Sequence, residues 1–311
     1  MSAVPGSPKP LAVNYLRSLV VPRSRGAVDL PRRRYEQRGL RVDPDRLAAW
    51  SRVCGYPLRS RLPLPYPHLL GFAAQVQLLV SEPFPFRLLG LVHVAQGFTQ
   101  RRPLGVVEEL EVSVRAVAMY PHRRGAVVEL VTEVRGAAEG PHEPPAWSGT
   151  SRYLAPGARL PGSVPPAEEE LPPPGTGAAV GRWRVGADTG RRYAEVSGDV
   201  NPIHLAAPAA RLLGFPRALA HGLWTASHSL AVLDGRLPDA VRADVRFKAP
   251  LLLPATVEHL HERVPGPDGG AWRTAVRSRG GARTHLLTAV TPLCTPTPGG
   301  GGGVGRPSGL R

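Results

Sequence analysis

Cysteine is scarce in this sequence: its 311 residues include two, Cys54 and Cys294. Two cysteines so far apart, with no second pair, exclude a disulfide framework and a zinc knuckle. Long apolar runs are also missing, and residues 1–20 carry prolines and an arginine where a signal peptide has a continuous apolar stretch. We therefore expect a soluble, cytoplasmic protein that does not insert into a membrane.

Lysine is nearly absent as well, since only Lys9 and Lys248 contribute to the 39 basic residues. Together with 36 prolines and 35 glycines, this skew indicates a GC-rich genome, so the net charge of +15 says little about function. No basic motif interleaved with aromatics and no recognition helix occurs, and we expect no nucleic-acid partner. Arginine clusters at 32–34 and 101–102 could attract an acidic carrier protein or a nucleotide phosphate, although most such arginines are solvated surface.

Proline, glycine and glutamate dominate residues 158–180, which show no hydrophobic period and are typical of an interdomain linker. The chain length also favours two domains over one. The predicted divisions are a flexible arm at 1–25, a first domain at 26–157, a second domain at 181–295 and a disordered tail at 296–311.

The same order of elements stands on both sides of the linker. An apolar helix is predicted at residues 64–80 in the first half and at 222–233 in the second. Partly alternating strands follow each helix, separated by turn sequences such as PGPDGG. A helix followed by an antiparallel meander is an α+β unit, so each half is predicted to be α+β.

Residues 50–62 align without a gap over residues 193–205. Three aligned pairs are identical: Val53 and Val196, Gly55 and Gly198, Leu62 and Leu205. Residues 67–69 lie over 220–222 at the start of each predicted helix. This repeat predicts an internal duplication.

The two copies differ at the positions where acid/base groups would stand. Tyr56 aligns with Asp199, and Arg61 aligns with His204. A phenol and a guanidinium cannot replace a carboxylate and an imidazole near neutral pH. If one half carries chemistry, the sequence assigns it to the second.

Asp199 and His204 stand five residues apart in the segment YAEVSGDVNPIH. Turns at 197–198 and 201–202 place them on one tight loop, where a carboxylate and an imidazole can hold one water between them. The structural alternative is an Asx turn that caps a helix, with His204 as an ordinary partly buried histidine. The spacing alone leaves both interpretations open.

The wider string Y-x-x-V-S-G-D-x-N-P-I-H, followed by A-H-G-L, closely resembles the signature of the MaoC-like, R-specific enoyl-thioester hydratases, also called type-2 hydratases. The matching positions are Tyr193, Ser197, Gly198, Asp199, Asn201, Pro202, Ile203, His204 and Ala220 to Leu223. The first half is similar to that of the two-domain acyl dehydratases of actinomycetes, and the resemblance covers residues 40–295. It implies a tandem double hotdog, in which each antiparallel sheet wraps a long central helix.

The resemblance also implies a reaction, the reversible syn hydration of a trans-2-enoyl thioester to the (R)-3-hydroxyacyl thioester. Its substrate would be an acyl-CoA or acyl carrier protein thioester, without a metal or redox cofactor. Asp199 and His204 would be the catalytic pair that holds the water. The protein could also be a homodimer. The degenerate first half would help to wall the acyl tunnel.

The remaining site residues implied by the resemblance would bind substrate or shape the loop. Gly222 would present its backbone N–H to the thioester oxygen, with the positive end of a helix favouring the enolate charge that forms there. Asn201 would shape and hydrogen-bond the loop, and Ser197 and Tyr193 complete the motif. His221 is interpreted as structural and is left out of the catalytic set.

Other sites fit the sequence less well. Ser197 lacks the preceding glycine of a nucleophile elbow, and the loop that starts at Asp199 lacks the later ligands of a calcium loop. His259 and His261 share a strand face, but no further metal ligand has suitable spacing. Two alternatives stay open: a hotdog thioesterase, and a non-catalytic acyl-binding or scaffold partner of a fatty-acid or polyketide system.

Overall fold

The computed structural model describes residues 3–5, 30–81, 84–140, 142–166, 168–266 and 270–293. The tail predicted at 296–311 lies outside the described residues, as does the arm predicted at 1–25 apart from one short strand. The elements are β1 (Ala3–Pro5), β2 (Arg34–Leu40), α1 (Pro44–Cys54), α2 (Pro67–Leu79), β3 (Val92–Gln100), β4 (Leu110–His122), β5 (Gly125–Gly136), β6 (Trp147–Pro156), β7 (Ala179–Val185), α3 (Thr189–Ser197), α4 (Pro202–Leu205), α5 (Ala207–Leu212), α6 (Gly222–Ala231), β8 (Val241–Phe247), β9 (Ala255–Val264), β10 (Ala271–Ser278) and β11 (Thr284–Pro292).

All strands belong to one sheet with the order β1-β2-β4-β5-β6-β3-β8-β11-β10-β9-β7. The first half contributes the order 2-4-5-6-3, and the second repeats it as 7-9-10-11-8 when read from its own outer edge. Strands β3 and β8 pair antiparallel and join the halves into a continuous sheet. The α+β prediction of a tandem double hotdog is thereby confirmed, with the addition that the two sheets share a hydrogen-bonded seam.

Each half wraps its sheet around one central helix. Helix α2 buries nine of its 13 residues, because it contacts β4 and β5 of its own sheet and is apolar on most sides. Gly71 permits its close approach, since a side chain there would meet the Thr132 methyl group at 2.6 Å. In the second half, α6 contacts β10 and β11 in the corresponding way.

Helices α1 and α3 precede the central helices and were not predicted as helices. Both end at a left-handed glycine, Gly55 and Gly198, each with φ 81°. The carboxylate of Asp43 accepts hydrogen bonds from two N–H groups of the first turn of α1. The aligned segments 50–62 and 193–205 therefore begin in the same way, as a helix that ends sharply before a loop.

The linker predicted at 158–180 lies between β6 and β7, and its last two residues belong to β7, which starts at Ala179. Glu168 in this segment contacts both Arg152 and Arg246, on strands β6 and β8. These ion pairs hold part of the segment against the seam between the halves.

Candidate active site

The loop after α3 is shaped by local hydrogen bonds. The Asp199 N–H donates to Ser197 Oγ at 3.1 Å, and the Asn201 N–H donates to Asp199 Oδ1 at 3.3 Å. Asn201 then caps α4, its Oδ1 accepting from the Ile203 N–H at 3.4 Å. His204 consequently lies on a one-turn helix, which corrects the prediction that it shares a single loop with Asp199.

The tautomer of His204 follows from its partner. Its Nδ1 lies 3.0 Å from the Leu219 carbonyl oxygen. A carbonyl only accepts, so Nδ1 carries the proton and Nε2 keeps a free lone pair. Burial and the neighbouring His221 lower the pKa of His204 to about 3, so the imidazole is neutral at physiological pH.

His221, interpreted from the sequence as structural, touches both members of the predicted pair. Its Nε2 donates to the Asp199 carbonyl oxygen at 2.9 Å and lies 3.7 Å from Asp199 Oδ2. Its ring stacks on His204 with centroids 3.7 Å apart, and the ring of Tyr193 lies 4.9 Å away. The signal for this role was its position in A-H-G-L, directly before Gly222.

Asp199, His204 and His221 bring one potential metal ligand each within 4.8 Å of one another. However, His204 Nδ1 and His221 Nε2 both face backbone carbonyls. The two rings are stacked, with an interplanar angle of 29°. These two carbonyl contacts leave one nitrogen of each ring for acid/base chemistry or for a ligand.

Gly222 begins α6, as predicted. The first hydrogen bond of this helix runs from the Thr225 N–H to the His221 carbonyl oxygen at 3.1 Å, so the N–H groups of residues 222–224 have no partner within the helix. A side chain at Gly222 would meet the Phe247 ring at 3.0 Å. Glycine thus lets the helix start lie against Phe247, and N–H groups without an intrahelical partner at a helix start can bind an anion.

The loop is held in place by two residues, Arg46 and Gly190, which the sequence did not indicate. Arg46, on α1 of the first half, donates to the carbonyl oxygens of Val196 and Ser197 at 3.0 and 3.3 Å. A side chain at Gly190 would lie 2.0 Å from the His204 carbonyl oxygen, so α3 and α4 pack closely only because this residue is glycine. Both halves therefore position the acid/base loop.

The corresponding positions of the first half are arranged differently. Tyr56 is buried and stacks on Trp50, with centroids 5.4 Å apart. Arg61 is partly exposed and pairs with Asp239 at 2.9 Å. These side chains serve packing and a surface ion pair, and they do not form a second acid/base pair.

The first half instead contributes to the site around Asp199. Burial lowers the pKa of His68 to about 3 and that of His93 to about 4, while the Asp199 charge acts in the opposite direction on both. Val200, beside Asp199, packs against an apolar cluster of the first half. The cluster's buried members are Val76, Leu79, Phe84, Phe86, Leu88, Ala126, Val128, Leu130, Tyr153 and Ala155. The loop thus faces both polar and apolar groups of α2 and its sheet.

The chain is similar to known proteins in sequence and in structure. The MaoC like domain family matches residues 175–274. The chain is 39% identical over 275 residues to 3-hydroxyacyl-thioester dehydratase X of Mycobacterium tuberculosis, covering 88% of this chain and 93% of that protein. This chain belongs to the MaoC-like dehydratase family. Membership confirms the resemblance stated from the sequence motif and supports a hydro-lyase activity.

Solved structures of MaoC-like and related proteins also match. The crystal structure of HtdX from M. tuberculosis has a TM-score of 0.70 and 36% identity, covering 84% of this chain and all of that chain (100%). A second M. tuberculosis protein, described as a double hotdog, has a TM-score of 0.53 and 15% identity, covering 87% of this chain and 96% of that chain, and shows the fold alone. Among the described residues, no helix is long and apolar enough to cross a membrane.

Proposed function

We propose that this chain catalyses the reversible syn hydration of a trans-2-enoyl thioester to an (R)-3-hydroxyacyl thioester. The observation that carries the proposal is that His221, which directly precedes the α6 start, contacts both Asp199 and His204. An acid/base pair beside an anion site suits a reaction that places enolate charge on a thioester oxygen. The name of the 39% identical relative, a 3-hydroxyacyl-thioester dehydratase, supports this substrate class.

The tautomer of His204 determines how a water would be held. Both His204 Nε2 and the Asp199 carboxylate accept hydrogen bonds, so a water between them donates both of its O–H bonds. Its oxygen lone pairs then point away from the pair, towards C3 of the enoyl thioester. Each acceptor makes the oxygen more nucleophilic as the bond to C3 forms.

In the hydration direction the water oxygen bonds to C3 while His204 Nε2 accepts a proton. The C2–C3 double-bond electrons move towards the thioester carbonyl, whose oxygen is stabilised by the Gly222 N–H. The pair then returns one proton to C2 on the same face, so the product gains one water and the protein is unchanged. The positive charge that forms on His204 is stabilised by Asp199.

The acyl chain is placed against the first half. Val200 lies between Asp199 and the apolar cluster formed by α2 and its sheet, which offers an apolar surface next to the reacting carbons. The first half thus walls the acyl chain while the second half supplies the chemistry. This division explains how the first copy could lose the acid/base pair and carry Tyr56 and Arg61 at those positions.

The test is to follow the loss of enoyl-thioester absorbance across a series of chain lengths, on CoA and on acyl carrier protein. The expected result is hydration to the (R)-3-hydroxyacyl product with at least one of the two carriers. Release of free thiol without hydration would instead identify a thioesterase, and binding without turnover would identify a non-catalytic acyl-binding protein. Either outcome contradicts the proposal.

A further inference from the structure

His68 is an unusual residue in the core of the first half. It lies in the first turn of α2, is 1% exposed, and neither ring nitrogen has a hydrogen-bond partner among the described residues. Buried polar groups are nearly always paired, because leaving one unpaired destabilises the fold. A buried imidazole with two unpaired nitrogens therefore suggests a site that a ligand or a water completes.

The position of His68 relates it to the acid/base site. In the internal repeat His68 aligns with His221, whose Nε2 hydrogen-bonds Asp199. Its ring lies 5.9 Å from that of Phe72, and Phe72 packs on the same apolar cluster as Val200. His68 therefore lies next to the apolar cluster on which the Asp199 loop packs, and burial lowers its pKa while the Asp199 charge raises it.

A second imidazole connects this region to the start of α6. The ring of His93 lies 4.8 Å from Phe247, the ring that packs against Gly222, and 4.6 Å from Tyr153. His93 Nε2 is also buried without a partner among the described residues. The first half thus contributes two neutral imidazoles with buried nitrogens, His68 on α2 and His93 on β3, and the second of them lies beside Phe247 at the α6 start.

We propose that His68 is a substrate-contacting residue that hydrogen-bonds the 3-hydroxyl of the hydroxyacyl thioester, or the water that becomes it, from the first half. The inference rests on the proposed function. A neutral imidazole offers one donor and one acceptor, and a hydroxyl or water needs both. In their resting states the Asp199 carboxylate and neutral His204 Nε2 only accept from this oxygen, and His68 can also donate to it. The second copy of the hotdog would then contribute to the chemistry as well as to the acyl wall.

The test compares His68→Leu and His68→Gln with the control His259→Leu. His259 is equally buried, but its Nε2 is paired with Ser229 Oγ at 2.9 Å, away from the acid/base loop. For His68→Leu we expect an unchanged or higher Tm and a kcat/KM lower by about 10-fold or more, as for the loss of one hydrogen bond to the substrate. His68→Gln should recover part of the loss. His259→Leu should lower Tm and leave kcat/KM unchanged.

The two reaction directions separate substrate contact from packing. In dehydration the 3-hydroxyl belongs to the thioester, so KM should rise in His68→Leu. In hydration it belongs to the water, so kcat should fall while KM for the enoyl thioester stays unchanged. A lower Tm with unchanged kcat/KM, or an equal rise of both KM values, would overturn the role of His68. If the wild type hydrates the enoyl thioester and Asp199→Asn does not, the proposed function stands even when the role of His68 is overturned.

Discussion

Asp199 and His204 differ in what each contributes to the hydrogen bonding of the site. His204 Nδ1 donates to the Leu219 carbonyl oxygen, which leaves Nε2 as an acceptor, and Asp199 Oδ1 accepts from the Asn201 N–H. Replacing Asp199 by Asn, or His204 by Ala, should lower kcat by about 100- to 10,000-fold, the usual contribution of an acid/base group. Steady-state hydration rates would measure this loss, with circular dichroism checking that the fold is intact.

The first half, whose copy of the motif lacks the acid/base pair, provides matched controls for these two changes. Tyr56→Phe removes a buried hydroxyl that has no partner among the described residues, and Arg61→Leu removes a surface ion pair. Both should leave kcat within about 2-fold of the wild type, since surface pairs contribute little and the phenyl ring keeps the packing. A kcat loss in these variants as large as in Asp199→Asn would contradict a single acid/base site.

Gly222 allows a second prediction at the scale of one residue. In Gly222→Ala the new methyl group would meet the Phe247 ring at about 3.0 Å, so the helix start or the ring must shift. A displaced N–H should lower kcat towards the about 100- to 1,000-fold loss seen for a missing oxyanion donor. Adding Phe247→Leu should restore part of kcat, and no effect in the single variant would contradict the close approach.

At the scale of elements, α1 of the first half holds the end of α3. Arg46 makes this contact through two hydrogen bonds to the carbonyl oxygens of Val196 and Ser197. Arg46→Met keeps most of the aliphatic stem but removes the donors, and should cost about 1 kcal/mol of stability and lower kcat by loosening the loop. Urea unfolding and steady-state kinetics would measure both, with exposed Arg52→Met on the same helix as the control. If Arg46→Met and Arg52→Met are alike in kcat, the anchor has no role in catalysis.

The central helices and most strands could be predicted because their apolar periodicity extends over eight or more residues. Helices α1 and α3 could not, because they are less apolar than the central helices, and their ends depend on Gly55 and Gly198 in a left-handed conformation. The seam between β3 and β8 was also missed, since strand pairing between repeats leaves no local signal. The motif indicated Asp199 and His204 as the candidate acid/base pair. The contact of Arg46 with Val196 could not be predicted, because 150 positions separate the two residues.

At the scale of the whole molecule, buried neutral histidines determine the response to acid. Burial lowers the pKa of His68, His204 and His259 to about 3 and that of His93 to about 4. In the unfolded chain these groups titrate near 6.5, so below that pH the unfolded state binds more protons and stability falls. Each histidine should cost about 1.4 kcal/mol per pH unit between about pH 6 and pH 4.

Urea unfolding at a series of pH values would measure this slope. The His68→Leu variant should show a slope smaller by about one proton, or about 1.4 kcal/mol per pH unit. Stability that is constant between pH 6.5 and pH 4 would mean that these imidazoles are solvated in the folded protein.

The central claim is that Asp199 and His204 in the second half add one water across one face of an enoyl thioester. The most direct measurement is hydration of a trans-2-enoyl-CoA in D₂O, followed by NMR and stereochemical assignment of the product. We predict an (R)-3-hydroxyacyl-CoA with one deuterium at C2, on the same face as the new hydroxyl, and no such product from Asp199→Asn. An (S) product, anti addition, or unchanged hydration by Asp199→Asn would contradict the claim.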